Sequence, residues 1–158
     1  MAFSPDIIVT AEDTPRMLLV VEAKLSSQDR PRDESQLKSY MLNMRCPIGL
    51  FVTPEEIVVF RDSYTAHSEQ SIRRVGTFPA PKNWLVFRAS PVNENTGLAL
   101  RFEENVKVWL EHLRSSPSDY VKEFPNETRA VLMDYVVPAL SEGIVRAGGP
   151  REVRLQSS

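Results

Sequence analysis

The sequence predicts an α/β fold, a mixed central sheet flanked by helices, and three observations carry the prediction. Over the first 62 residues, short aliphatic and β-branched runs surround one amphipathic stretch in the order β-β-α-β-β. Further on, Phe102 to Arg114 and Asn126 to Ala147 carry apolar residues at helical spacing. A chain of 158 residues with 42% hydrophobic and 25% charged residues has the size and composition of one folded domain. We assign that domain to residues 1–150, with residues 151–158 as a flexible tail.

Ile7-Ile8-Val9-Thr10 is a β-branched run and reads as the first strand. Glu12, Asp13 and Pro15 mark a turn. Arg16 to Lys24 is continuously apolar rather than alternating, which predicts a strand buried on both faces and hairpin-paired with the first. Leu25 to Arg32 is polar, contains Pro31 and reads as a loop. Asp33 to Arg45 reads as a helix with Leu37, Met41 and Met44 on one stripe, Asp33 or Ser35 as its cap, and Pro47 beyond its end. Ile48 to Thr53 and Ile57 to Arg61 are two more strands around a Pro54-Glu55-Glu56 turn.

After Arg61 the pattern weakens. Ser71 to Val75 and Trp84 to Arg88 are candidate strands, and Pro91 to Gly97 reads as a loop. The helix Phe102 to Arg114 has Val106, Trp109, Leu110 and Leu113 as its apolar face. The helix Asn126 to Ala147, with a break expected at Pro138, has Met133, Val136, Val137 and Leu140; Gly148-Gly149-Pro150 ends it. Trp84 and Trp109 read as core or interface anchors. His67 reads as exposed, and Arg73-Arg74 with Arg61, Lys82 and Arg88 as a basic face that is either solvated or turned to phosphates.

Bulk properties narrow the function. A net charge of −2 argues against a dedicated nucleic-acid coater, but less against an enzyme whose acidic site binds a cation. The single cysteine, Cys46, excludes an internal disulfide and reads as a small buried residue. With only His67 and His112 besides, the zinc inventory is poor. No run approaches the ~18 apolar residues of a membrane span. No signal peptide is visible, so the expected location is the cytoplasm.

Three features carry chemistry. Pro5-Asp6 opens a strand, Glu22-Ala23-Lys24 closes the next one, and Gln36 and Tyr40 lie four apart on the following helix. Residues two apart on a strand point to one face, so Glu22 and Lys24 project together while Val21 and Ala23 face the opposite layer. Magnesium takes hard oxygen ligands, and Asp6, Glu22 and the Ala23 carbonyl offer three. A lysine beside a metal-bound water orients it, assists its deprotonation or stabilises phosphate charge. Read singly, each feature has an ordinary account: Asp6 caps a turn, Glu22 and Lys24 are the wet end of a strand, and Tyr40 packs in the core.

Taken in order, Pro5-Asp6, Glu22-Ala23-Lys24 and Gln36-Leu37-Lys38-Ser39-Tyr40 resemble the PD-(D/E)xK signature and QxxxY motif of restriction-endonuclease-like nucleases. The pattern is most similar to the N-terminal nuclease domain of type I restriction enzyme R subunits, and Gly49 to Asp62 is similar to the strand pair those domains carry. The resemblance covers residues 1–62. It implies a restriction-endonuclease-like fold and DNA cleavage with Mg²⁺ or Mn²⁺. Asp6 and Glu22 would be metal ligands, Lys24 the catalytic lysine, and Gln36 and Tyr40 supporting or DNA-contacting residues. It also implies DNA as partner and a homodimer, and leaves a helicase or methyltransferase partner open. Such domains usually place a helix before the Asp strand. Here four residues precede Pro5-Asp6, which points to a truncated frame, another subunit, or one of the two later helices in that place. The alternative function is a catalytically inactive nuclease-fold module for nucleic-acid binding or assembly.

Overall fold

The computed structural model describes residues 3–80 and 95–148. Strands β1 (Ile7–Ala11) and β2 (Met17–Ala23) form the expected antiparallel hairpin. Helix α1 (Arg30–Met44) leads to β3 (Ile48–Val52), which pairs with β2 in parallel. A parallel pair needs a crossover, and α1 is that crossover. Strands β4 (Glu56–Asp62) and β5 (Ile72–Pro79) follow antiparallel, so the sequence reading of Ser71 to Val75 caught only the first part of β5.

Helix α2 (Asn95–Ser115) opens the second half, followed by α3 (Pro117–Val121), α4 (Asn126–Val131), a π turn over Leu132–Val136, and α5 (Val137–Ser141). Strand β6 (Gly143–Ala147) then returns to the sheet against β1. The six strands lie in the order β5-β4-β3-β2-β1-β6, and the sheet is mixed with helices on both faces.

Side-chain alternation sorts the strands between two cores. Val20, Phe51, Val58 and Phe60 meet Leu37 and Met41 of α1. On the other face Val9, Leu19, Val21, Leu50 and Val59 meet Phe102, Val106, Trp109, Leu110 and Leu113 of α2, with Leu132, Val136 and Leu140 beyond. The continuous apolar run of β2 is explained: Leu18 to Val21 are buried whichever way they point.

Five local readings are corrected. α1 starts at Arg30 rather than Asp33: Asp29 accepts the Arg32 N–H at 3.2 Å, and Pro31 sits in the first turn, where its missing N–H is harmless. Met44 is 46% exposed because the stripe leaves the sheet at the last turn. α2 begins at Asn95, so the Asn95 to Gly97 part of the expected loop is helical. The expected helix through Ala147 ends at Ser141, and its last residues form β6. The π turn before Pro138 also rotates the helix, leaving Met133 39% exposed and burying Leu132 instead. The expected strand Trp84 to Arg88, residues Lys82 and Pro91 to Glu94, and the tail 151–158 lie outside the described residues. Among the described residues no helix is long and apolar enough to cross a membrane.

Candidate active site

Asp6 stands immediately before β1 and is clamped from both sides. Its N–H donates to the Val21 carbonyl at 3.2 Å, and its carbonyl accepts the Gly148 N–H at 2.8 Å. The approach of Gly148 is so close that a Cβ there would lie 1.9 Å from the Pro5 oxygen. The β1–β2 register pairs Ile7 with Val21, which sets Asp6 opposite Glu22 on one face of the ribbon. That face is the one α1 covers, since Ile8 and Val20, two residues away from each, pack against α1's core.

The carboxylates are buried, Asp6 at 8% exposure and Glu22 at 4%. The Ala23 N–H donates to Asp6 Oδ2 at 2.8 Å, so Ala23 enters the site through its amide. Lys24 is fixed by its N–H to the Val52 carbonyl at 2.9 Å, and its Nζ lies 3.3 Å from Glu22 Oε2. Glu22 Oε1 is buried and has no hydrogen-bond partner.

Two carboxylates directly opposite on a sheet repel each other. Burial, then the facing Asp6 carboxylate, push the Glu22 carboxyl from an ordinary 4.5 up to about 8, against the opposing pull of Lys24. Burial alone would lower the Lys24 ammonium, but Glu22, Asp6 and Asp33 together outweigh it and hold it above its usual value. Lys24 is therefore charged at neutral pH, and Glu22 largely carries its proton.

Helix α2 reaches this end of the sheet from the other layer. Glu103 lines a cavity of about 570 Å³ beside Asp6 and Ala147, and also one of about 490 Å³ beside Ala23 and Lys24. No motif marked Glu103; the signal available was a half-buried acid one turn before the buried Val106. Of the sequence candidates, Asp6, Glu22, Ala23 and Lys24 come together. Gln36 is exposed, and Tyr40 is half-buried with its ring 5.6 Å from Phe3 at 65°. No hydrogen bond links Gln36 or Tyr40 to Glu22 or Lys24 among the described residues. The arginines of the expected basic face divide: Arg74 lies over Phe60 on the α1 face, whereas Arg61 lies over Tyr135 on the other.

Among the described residues no group of three His, Cys, Asp or Glu side chains converges on one point. A divalent cation nevertheless fits what is present. Glu22 Oε1 is an orphaned buried oxygen, the donors are hard, and magnesium is commonly held by one or two carboxylates, with water and phosphate completing the shell. No family model, curated protein or solved structure matches the chain.

Proposed function

We propose that this chain is a metal-dependent nuclease of the PD-(D/E)xK kind that hydrolyses DNA phosphodiester bonds. The observation that carries the reading is the buried Asp6–Glu22 pair with Lys24 Nζ 3.3 Å from Glu22 and Glu22 Oε1 left without a partner. A structural carboxylate pair would satisfy its oxygens or be exposed; this pair keeps one oxygen unsatisfied at a site bordered by cavities.

Asp6 and Glu22 would hold Mg²⁺ or Mn²⁺, which when bound polarises the scissile phosphate and acidifies a water. The chain's own groups divide the remaining work. The Ala23 amide fixes Asp6 by donating to its Oδ2 at 2.8 Å. Lys24, held as an ammonium, cannot accept the proton of the attacking water. Its role is to offer N–H donors to the charge that builds on phosphate oxygens. Hydrolysis forms a bond from water oxygen to phosphorus and breaks the bond from phosphorus to the leaving sugar oxygen; the proton that the attacking water loses passes to solvent, and the leaving oxygen takes up a proton from solvent. Glu103 borders both cavities and would orient water at the mouth of the site.

The deciding experiment is calorimetric titration of Mn²⁺ into wild type and into the Asp6→Asn/Glu22→Gln double variant, followed by plasmid and oligonucleotide cleavage. Binding and cleavage in wild type alone support the nuclease. Cleavage surviving in the double variant overturns it. Binding in neither protein leaves the chain as a nuclease-fold module for nucleic-acid binding or assembly.

A further inference from the structure

A third cavity lies on the α1 face of the sheet, with a volume of about 290 Å³ and Arg30, Lys38, Arg74 and Glu34 among its lining residues. It is built rather than incidental. Phe51 and Phe60 are fully buried and lie under its cations: Arg30 lies 4.7 Å from the Phe51 centroid, and Lys38 and Arg74 lie 5.3 and 5.6 Å from that of Phe60. Glu34 is 6% exposed and fixes both guanidiniums, accepting from Arg30 Nε at 2.9 Å and from Arg74 Nη2.

The charges do not balance inside the cavity. One carboxylate faces three cations. Glu56 is engaged by Arg30 from outside the lining, and Glu69 is held by the hydroxyls of Ser35 and Ser39. Lys38 has no carboxylate within 4.0 Å among the described residues, yet shares one aromatic ring with Arg74. Each guanidinium carries five N–H donors, and the hydrogen bonds to Glu34, Glu56 and Thr77 occupy two on each. Donors therefore remain, along with an ammonium, around a cavity at the small end of ligand pockets.

Its position relates it to the carboxylates. Glu22 registers with Phe51, Phe51 with Val58, and Val58 with Thr77, so one row of residues crosses the sheet on this face. Arg30 stacks on Phe51 and Arg74 donates to Thr77 Oγ1 at 2.8 Å. At about 4.8 Å per strand the cavity lies roughly 5–15 Å from Glu22. Nucleic acid advances ~3.4 Å along its axis per nucleotide of one strand, so that distance is a few nucleotides.

We infer that the Arg30–Lys38–Arg74 cavity is a phosphate-binding site that holds a second backbone phosphate of the nucleic acid cut at Asp6, Glu22 and Lys24. The inference rests on the nuclease reading for its source of phosphate but not for the site itself. Lys38 supplies the unpaired charge, and Glu34 holds the two arginines in place beneath it.

The test uses the whole chain in EDTA, with a fluorescein-labelled twelve-nucleotide single strand and, separately, inorganic tripolyphosphate. Lys38→Gln removes the unpaired cation without breaking an ion pair. Lys38→Gln/Arg74→Gln removes two, and Lys122→Gln, just past the end of α3, controls for general charge. The expected result is about tenfold weaker oligonucleotide binding in Lys38→Gln, with the slope of log K against log salt reduced by about 1. The double variant should be weaker still, and Arg74→Lys should restore most binding relative to Arg74→Gln. Equal binding by wild type and Lys38→Gln, or equal loss in Lys122→Gln, overturns the site while leaving the carboxylate reading intact. Lys38-dependent binding of tripolyphosphate with no oligonucleotide binding upholds the phosphate site and overturns nucleic acid as its source.

Discussion

The proton on Glu22 makes the candidate site visible in stability measurements before any substrate is known. Its carboxyl is raised from 4.5 to about 8 in the folded chain, and it returns to an ordinary value on unfolding. Between those two values the folded state binds more protons than the unfolded state. The group's contribution is then fully present below pH 4.5 and is lost as pH rises through 8. At about 1.4 kcal/mol per pKa unit, the loss is on the order of 3–5 kcal/mol by pH 9, and Glu22 is too buried for solvent to screen much of it. Glu22→Gln cannot ionise. We predict that urea denaturation in EDTA gives wild type and Glu22→Gln similar stability near pH 5, and the variant several kcal/mol more stability at pH 9. Adding Mn²⁺ at pH 8 should reverse the order, since ligand binding stabilises only the protein that binds it. Parallel stability curves for the two proteins across this range would refute the account of Glu22 as a buried, repelled carboxylate.

Three further outcomes follow from the same geometry. Lys24→Met should retain Mn²⁺ binding by calorimetry and lose at least 100-fold in cleavage rate, on the order of a lost charge-stabilising donor. Gly148→Ala should drive a Cβ into the Pro5 carbonyl and displace Asp6; we expect a fall of roughly 1–3 kcal/mol in urea stability, as for other overpacked sites, and loss of Mn²⁺ binding. Cys46 is buried with its thiol pushed up to about 12, so native protein at pH 8 should resist a disulfide reagent that reacts at once in urea.

The half of the fold that was legible is the half in which local pattern and tertiary position agree. Strands β1 to β4 and helix α1 announce themselves through β-branched runs, one apolar stripe and turn residues. Their order also delivered Asp6, Glu22 and Lys24 to one sheet end. Strand β6 was hidden because Val137, Leu140 and Ile144 keep helical spacing through the helix end, and only Gly143 before the β-branched Ile144-Val145 pair signals a change. Its strand form is set by β1, whose free edge pairs with it from Ile7 to Ala11. Likewise, the start of α1 was misplaced because Pro31 reads as a breaker, when in the first turn it is compatible with a helix. Glu103 and the Arg30–Lys38–Arg74 cavity depend on contacts between residues tens of positions apart, which no local spacing encodes.

The corrected C-terminus bears directly on the site. Were residues Gly143 to Ala147 helical, as their spacing suggests, the outer edge of β1 would be open and the Asp6 carbonyl would have lost its Gly148 partner. Asp6 would then hang from β2 alone, one residue beyond the strand, where strand ends fray most easily. Once Glu22 ionises, the two facing carboxylates would relax apart by that fraying, because separation relieves both their burial and their repulsion. With β6 in place, the Asp6 backbone is hydrogen-bonded on both sides, and Glu22 is held facing Asp6 in a setting that disfavours its ionisation. The energy that raises the Glu22 carboxyl is thus stored by packing far away in sequence. On the proposed reading a bound cation would recover it, and a late strand with no chemistry of its own would then belong to the site.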